Sequence, residues 1–190
     1  MPQLYIIAGC NGAGKTTASL TVLPEMLNCH EFVNADMIAF GLSPLNPTGV
    51  AVAAGRIMLA RIKELLEERE DFAFETTLST RSYVSLIKTA KEKGYTVTLL
   101  FFWLYSPEEA IMRVAERVKN GGHNIPEEVI RRRYSRGIEN FHRLYKQIVD
   151  TWLLFDNSDE TPDLLAKGDQ GFDDTVINAE LWDKINGNEI

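Results

Sequence analysis

The stretch Leu4 to Thr17, LYIIAGCNGAGKTT, constrains the fold more than any other part of the chain. Leu4 to Ala8 reads as a buried strand. Gly9 to Thr16 then fits G-x-x-x-x-G-K-[ST], and Lys15 to Leu27 continues in a helical pattern. Strand, glycine turn and helix in that order are the context a phosphate-binding loop needs. Glycine lets the backbone turn until successive N–H groups converge on one anion, and the helix N-terminus adds partial positive charge there. Gly9, Asn11, Gly12, Ala13, Gly14, Lys15, Thr16 and Thr17 are therefore the expected binders of a nucleotide's phosphates. Lys15 would reach the β- and γ-phosphates, and the Thr16 hydroxyl would ligate Mg²⁺.

A competing reading exists. Ile7-Ala8-Gly9-Cys10 also looks like the cleavage box of a lipidated secretory signal. Residues 1 to 9 contain no Lys or Arg, and the apolar piece before the box is short, whereas a signal uses an apolar region of about 7–15 residues. The phosphate loop is the better account, and the expected location is cytoplasmic. The other bulk properties agree. A length of 190 residues suits one domain, expected over 1–190. A net charge of -7 argues against broad attraction to nucleic acid or anionic lipid. Two cysteines, Cys10 and Cys29, make no disulfide framework, and the longest apolar run, Leu99 to Tyr105, is too short to span a membrane.

Apolar, β-rich runs alternate with helical patterns along the chain, which predicts an α/β domain with a parallel sheet. Strands are expected at Leu4 to Ala8, Glu31 to Asn34, Phe72 to Thr76, Thr96 to Leu104 and Trp152 to Phe155. Helices are expected at Lys15 to Leu27, Thr48 to Arg69, Arg81 to Lys93, Ser106 to Asn120 and Pro126 to Val149. The acidic tail suggests a short strand over Leu164 to Lys167 and a helix over Asp174 to Ile185.

Two acids fall at the edge where an open parallel sheet binds its ligands, beyond the carboxyl ends of the strands. Asp36 follows the second strand in FVNADMIA and is the candidate base for an attacking hydroxyl. Its bland alternatives are a helix cap or an outer contact to Mg²⁺. Glu75 ends the third strand in FAFETTLST. It fits either an outer Mg²⁺ contact or a hydrogen bond to the acceptor. The neighbouring Thr76 and Thr77 favour the acceptor role, with Thr76 beside Glu75 in substrate binding.

The segment from Arg113 to Arg136 is rich in arginine within an acidic chain. Two helices meet in it at Gly121-Gly122-His123, as in a lid with a hinge. At about 100° per residue, Ile130, Tyr134, Ile138, Phe141, Tyr145 and Ile148 form one apolar face. Arg131 and Arg133 flank that face and Arg132 points away from it. Arg113 and Arg117 share a side of the preceding helix. Arg117 and Arg133 are the catalytic candidates, as cations that spread charge on the transferring phosphoryl group. His123 reads equally as a phosphate contact or a turn cap. No N-K-x-D guanine motif is present, which disfavours a GTPase switch.

Taken together, GCNGAGKTT, FVNADMIA, FETTLS, the segment FFWLYSPEEAIMRVAERVKNGGHNIPEEVIRRRYSRGIENF and WLLFDNS resemble the zeta-toxin-type P-loop kinases over about Leu4 to Ser158. The resemblance implies a P-loop three-layer sandwich around a parallel five-stranded sheet of the nucleoside-monophosphate-kinase type, with a helical lid near 113–136. It implies an ATP- and Mg²⁺-dependent kinase acting on an acceptor hydroxyl, with a UDP-N-acetyl sugar as the family's acceptor. Lys15 matches the loop lysine, Asp36 the base and Glu75 the substrate-binding glutamate. An antitoxin-like protein is the partner it implies. The competing functional readings are a nucleotide-dependent regulatory module and a nucleoside or RNA-end kinase.

Overall fold

The computed structural model describes residues 1–122, 124–159 and 161–186. In chain order its elements are β1 (Gln3–Ala8), α1 (Lys15–Met26), β2 (Glu31–Val33), α2 (Ala35–Leu42), α3 (Ala51–Glu68), β3 (Phe72–Thr76), α4 (Tyr83–Glu92), β4 (Thr96–Trp103), α5 (Pro107–Lys119), α6 (Glu127–Arg143), β5 (Thr151–Asp156), β6 (Asp163–Asp169), β7 (Thr175–Val176) and α7 (Ala179–Ile185). Short 3₁₀ turns at Thr48–Val50 and Tyr145–Gln147 complete the list.

The sheet order is β2-β3-β1-β4-β5-β6-β7. The first five strands are parallel, as expected. The expected five-stranded sheet is however seven-stranded, because β6 and β7 add antiparallel to the β5 edge. The tail thereby covers an edge that would otherwise present unpaired N–H and C=O groups. Leu165 and Ala166 of β6 are buried, so this edge also contributes to the core.

β1 and β4 lie at the centre and are apolar on both faces. Leu4, Ile6, Val97, Leu99, Phe101 and Trp103 face one layer with Met58, Ile62 and Leu65 of α3, Ile87 of α4 and Phe141 of α6. Tyr5, Ile7, Leu100 and Phe102 face the other, with Leu23 of α1, Ala110 and Val114 of α5 and Ile130 of α6. The period-two alternation of strands thus feeds two cores, giving the three-layer sandwich.

Three boundaries depart from expectation. α2 is a helix where none is expected, between the strand Glu31 to Asn34 and the helix from Thr48. Its sequence ADMIAFGL is apolar but shows no helical stripe, and Met37 and Phe40 are 50% and 57% exposed. The helix exists because Asn34 caps it, its Oδ1 accepting from the N–H groups of Asp36 and Met37. α6 stops at Arg143 rather than Val149, and the turn that follows drops Tyr145 fully into the core. The tail helix is shorter than expected, since Thr175–Val176 is a strand. Among the described residues no helix is long and apolar enough to cross a membrane.

Candidate active site

The phosphate loop sits between β1 and α1 at the carboxyl edge of the sheet. Gly9 has φ +140°, and a Cβ there would lie 2.2 Å from the Phe102 carbonyl oxygen. Gly14 has φ +73°, and a Cβ there would lie 2.4 Å from Asn157 Nδ2. Both glycines are required by conformation, and Gly9 also by space, since its neighbour is backbone. Gly14 is also the N-cap of α1, and no side chain caps that helix. The first N–H groups of α1 are thus without a side-chain cap, at the end of the helix that attracts anions.

Lys15 is 6% exposed and curls back over its own loop. Its Nζ donates to the Cys10 carbonyl at 2.9 Å and lies 3.4 Å from Glu75 Oε1. Register explains the second contact: Ile7 pairs with Glu75 across the β1–β3 ladder, so Glu75 leaves the sheet beside the loop. The Thr16 hydroxyl donates to Glu75 Oε2 at 2.6 Å, and Asn34 Nδ2 donates to the same oxygen at 2.7 Å. Glu75 therefore faces three donors, two from α1 and one from the junction of β2 and α2.

Asn34 was not among the residues singled out from the sequence. It is 4% exposed and joins two functions. Its amide nitrogen holds Glu75, and its oxygen caps the helix whose second residue is Asp36. The available signal was an Asn immediately before a helical turn. Asp36 itself is exposed in the first turn of α2, just past the end of β2.

Two cavities meet at this cluster. One, of about 530 Å³, runs over Gly12, Gly14, Thr16 and Thr17 to Arg113, Arg117 and Gly122, with Met37 and Phe40 on the α2 side. The other, of about 230 Å³, is lined by Thr76, Thr77, Ser79, Thr80 and Tyr83, with Met58 and Arg133. Asn11, Lys15, Asn34, Asp36 and Glu75 border both. Thr76 lines the smaller chamber while its Oγ1 accepts from the Leu78 N–H at 3.0 Å.

The arginines divide by role. Arg133 Nη1 donates to Asn11 Oδ1 in the phosphate loop at 3.0 Å. Burial pushes its pKa down, and the Asp36 carboxylate beside it pulls the other way. Arg131, the other candidate on the flank of the apolar face, instead pairs with Glu108 on the surface. Arg132 is exposed, as its helical phase predicts. Arg117 is exposed and borders the larger groove. Arg113 is committed elsewhere. It donates to the carbonyl oxygens of Asn157 and Ser158 and pairs with Glu109 at 2.8 Å. That clamp fixes Asn157, whose Nδ2 donates to the Ala13 carbonyl at 2.8 Å and closes over Gly14. Asn157 thus supports the phosphate loop from a position 144 residues away, which no local pattern announced. His123 lies outside the described residues. Cys10 is buried in the loop, its thiol pushed up to about 11 by desolvation, and both cysteines are free.

The strand order, the glycine loop and the acids on the same edge define a P-loop kinase fold of the nucleoside-monophosphate-kinase type. The family model described as Zeta toxin matches residues 48–167. The chain belongs to the zeta-toxin family, and that match lies downstream of the phosphate loop and Asp36. A protein of Haemophilus influenzae described as uncharacterised is 32% identical over 126 residues, which is 66% of this chain and 88% of that protein. Among solved structures, the AvrRxo1-ORF1:-ORF2 complex with ATP superposes with TM-score 0.79 at 19% identity, covering 100% of this chain and 65% of that one. This chain therefore spans about two thirds of the length of the matched chain in that complex. The PezAT chromosomal toxin–antitoxin system of Streptococcus pneumoniae gives TM-score 0.69 at 16% identity, covering 98% of this chain and 79% of that one. At such identities the superpositions carry the fold.

Proposed function

We propose that the chain is an ATP-dependent kinase that transfers the γ-phosphate to a hydroxyl of a small acceptor. One observation carries the reading. Asp36, Lys15 and Glu75 stand on the wall between a groove built from the phosphate loop and a chamber lined by hydroxyl side chains. A phosphoryl group entering from the first meets a nucleophile held in the second. A module that only bound nucleotide has no use for the second chamber.

Each residue then has a task. The loop N–H groups and Lys15 hold the donor phosphates, and Lys15 exchanges Glu75 for phosphate oxygens when the nucleotide binds. Asp36 accepts the proton of the attacking hydroxyl. Arg133, anchored on Asn11, and Arg117 on the opposite wall spread charge on the transferring group. Thr76 and its neighbours orient the acceptor. The segment 113–136 acts as the lid over the groove.

The donor set fits Mg²⁺. The Thr16 hydroxyl and the Glu75 carboxylate form a small oxygen pair next to the loop lysine. Thr16 would bind the ion directly and Glu75 through its water shell, an arrangement natural for an ion that keeps several waters. When bound it would neutralise charge between the β- and γ-phosphates. In this reading Glu75 serves the donor side, while its place on both cavities also leaves it within reach of the acceptor.

The acceptor we propose to test first is UDP-N-acetylglucosamine, with nucleosides and simple polyols beside it, in a cytoplasmic, ATP-supplied setting. Because the PezAT and AvrRxo1 structures are of two-component systems, an antitoxin-like protein partner belongs to the same proposal. The test is incubation of the purified chain with Mg-ATP and this panel, reading phosphate gain by mass spectrometry. Gain on one acceptor supports the kinase. ATP consumed with no acceptor modified supports the regulatory module.

A further inference from the structure

We infer that Asn140, assisted by Tyr145, is a positioning residue that sets the acceptor loop against Asp36. The inference rests on reading the hydroxyl-lined chamber as the acceptor site. The loop Thr76–Thr80 forms much of that chamber's wall yet belongs to no helix, and its sheet pairing ends at Thr76. Its centre is Leu78, fully buried, with φ +56°. A branched side chain adopts this left-handed conformation only where the surroundings over-determine it.

Those surroundings come from α6 and the turn after it. Asn140 Nδ2 donates to the Leu78 carbonyl at 2.8 Å, and both groups are buried. Tyr145 Oη donates to the Thr80 carbonyl at 2.6 Å. At Gly137 the helix presses on the loop itself, since a Cβ there would lie 2.8 Å from the Thr77 carbonyl oxygen. Thr76 Oγ1 completes the hold from within by accepting from the Leu78 N–H. The side chains that line the chamber therefore hang from a backbone whose carbonyls are fixed from outside.

The same helix edge reaches the donor. Arg133, Gly137 and Asn140 are spaced i, i+4, i+7 and so fall on one stripe. Arg133 touches Asn11 of the phosphate loop, and Gly137 and Asn140 touch the acceptor loop. One rigid element sets the distance between the two halves of the site. An amide is the group this requires at 140. It is neutral, 7% exposed, and must donate to a buried carbonyl.

The variants are Asn140→Asp, which keeps the shape but loses the donor, and Tyr145→Phe, which removes one hydroxyl and keeps the ring. UDP-N-acetylglucosamine serves as acceptor probe and a fluorescent ATP analogue as donor probe. We expect the acceptor KM to rise tenfold or more in Asn140→Asp and by a smaller factor in Tyr145→Phe. The ATP-analogue Kd should stay within twofold of wild type, and amide exchange over 76–80 should quicken in both variants. A protein merely weakened overall would not separate acceptor KM from nucleotide Kd. Should Asn140→Asp fail to fold, Tyr145→Phe alone decides. Wild-type transfer with acceptor KM unchanged in the variants overturns the role of Asn140 and Tyr145. A wild-type protein that binds the ATP analogue but modifies no acceptor overturns the kinase reading beneath it.

Discussion

Replacing Glu75 with glutamine tests how the site is held before nucleotide arrives. Glu75 accepts from Thr16 and Asn34 and lies 3.4 Å from Lys15 Nζ, with Lys15 and Glu75 side chains 6% and 11% exposed. At that separation, with an effective dielectric near 20, the gross attraction is roughly 5 kcal/mol. Removing one partner of a buried pair costs about 3–5 kcal/mol because the other charge stays behind. Glutamine can still accept from Thr16 and Asn34, and Lys15 keeps the Cys10 carbonyl, so the lower end, about 3 kcal/mol, is the appropriate figure. For a chain of this size that lowers the melting temperature by roughly 6–12 °C. Saturating ATP without Mg²⁺ supplies Lys15 with phosphate oxygens instead, so most of the deficit should vanish. Thermal unfolding of both proteins, with and without ATP, measures it. A variant that melts within about 2 °C of wild type, or whose deficit ATP does not reduce, refutes the reasoning.

The remaining predictions concern the arginines and the acid side of the stability curve. Arg133→Gln should lower transfer by about 10²–10³, the usual loss on deleting one preorganised donor, while Arg132→Gln on the solvent side stays within about twofold; steady-state rates on the same acceptor compare them. His142 packs against Phe141 and Trp182, its Nε2 has no hydrogen-bond partner among the described residues, and burial with the neighbouring Lys146 pushes its pKa down to about 4. The folded state thus resists a proton that the unfolded chain takes up near pH 6.5. This contribution is complete above that pH and is lost as pH falls towards 4, a change of roughly 2–3 kcal/mol. His142→Phe should lack that limb, and the difference between the two melting curves from pH 7 to pH 4 should show it.

The parts of the site that lay within one continuous motif were legible in the sequence. Gly9 to Thr16 needed only its own residues and its flanks, and Glu75 followed from the end of an apolar run. The phase of α6 separated Arg132 from Arg133, because helical geometry is local. It could not separate Arg131 from Arg133, because Glu108 takes Arg131 from another helix. Arg113 illustrates the same limit, its guanidinium spent on the carbonyls after β5. The roles of Asn34, Asn140 and Asn157 have no such local signature. Each is a neutral amide with no periodic pattern, and each acts on backbone or side chains far along the chain. The two extra strands were half visible: Leu164 to Lys167 reads as a strand, but pairing direction is set by its partner.

The central claim is that Asp36 serves a hydroxyl acceptor on one side of the wall while the phosphate loop holds ATP on the other. Asp36→Asn tests it most directly, since the amide keeps the shape and loses the base. Transfer from Mg-ATP to the acceptor and binding of an ATP analogue should be measured side by side. The account predicts transfer lowered by about 10²–10⁴ with nucleotide affinity nearly unchanged. Transfer at the wild-type rate would contradict it.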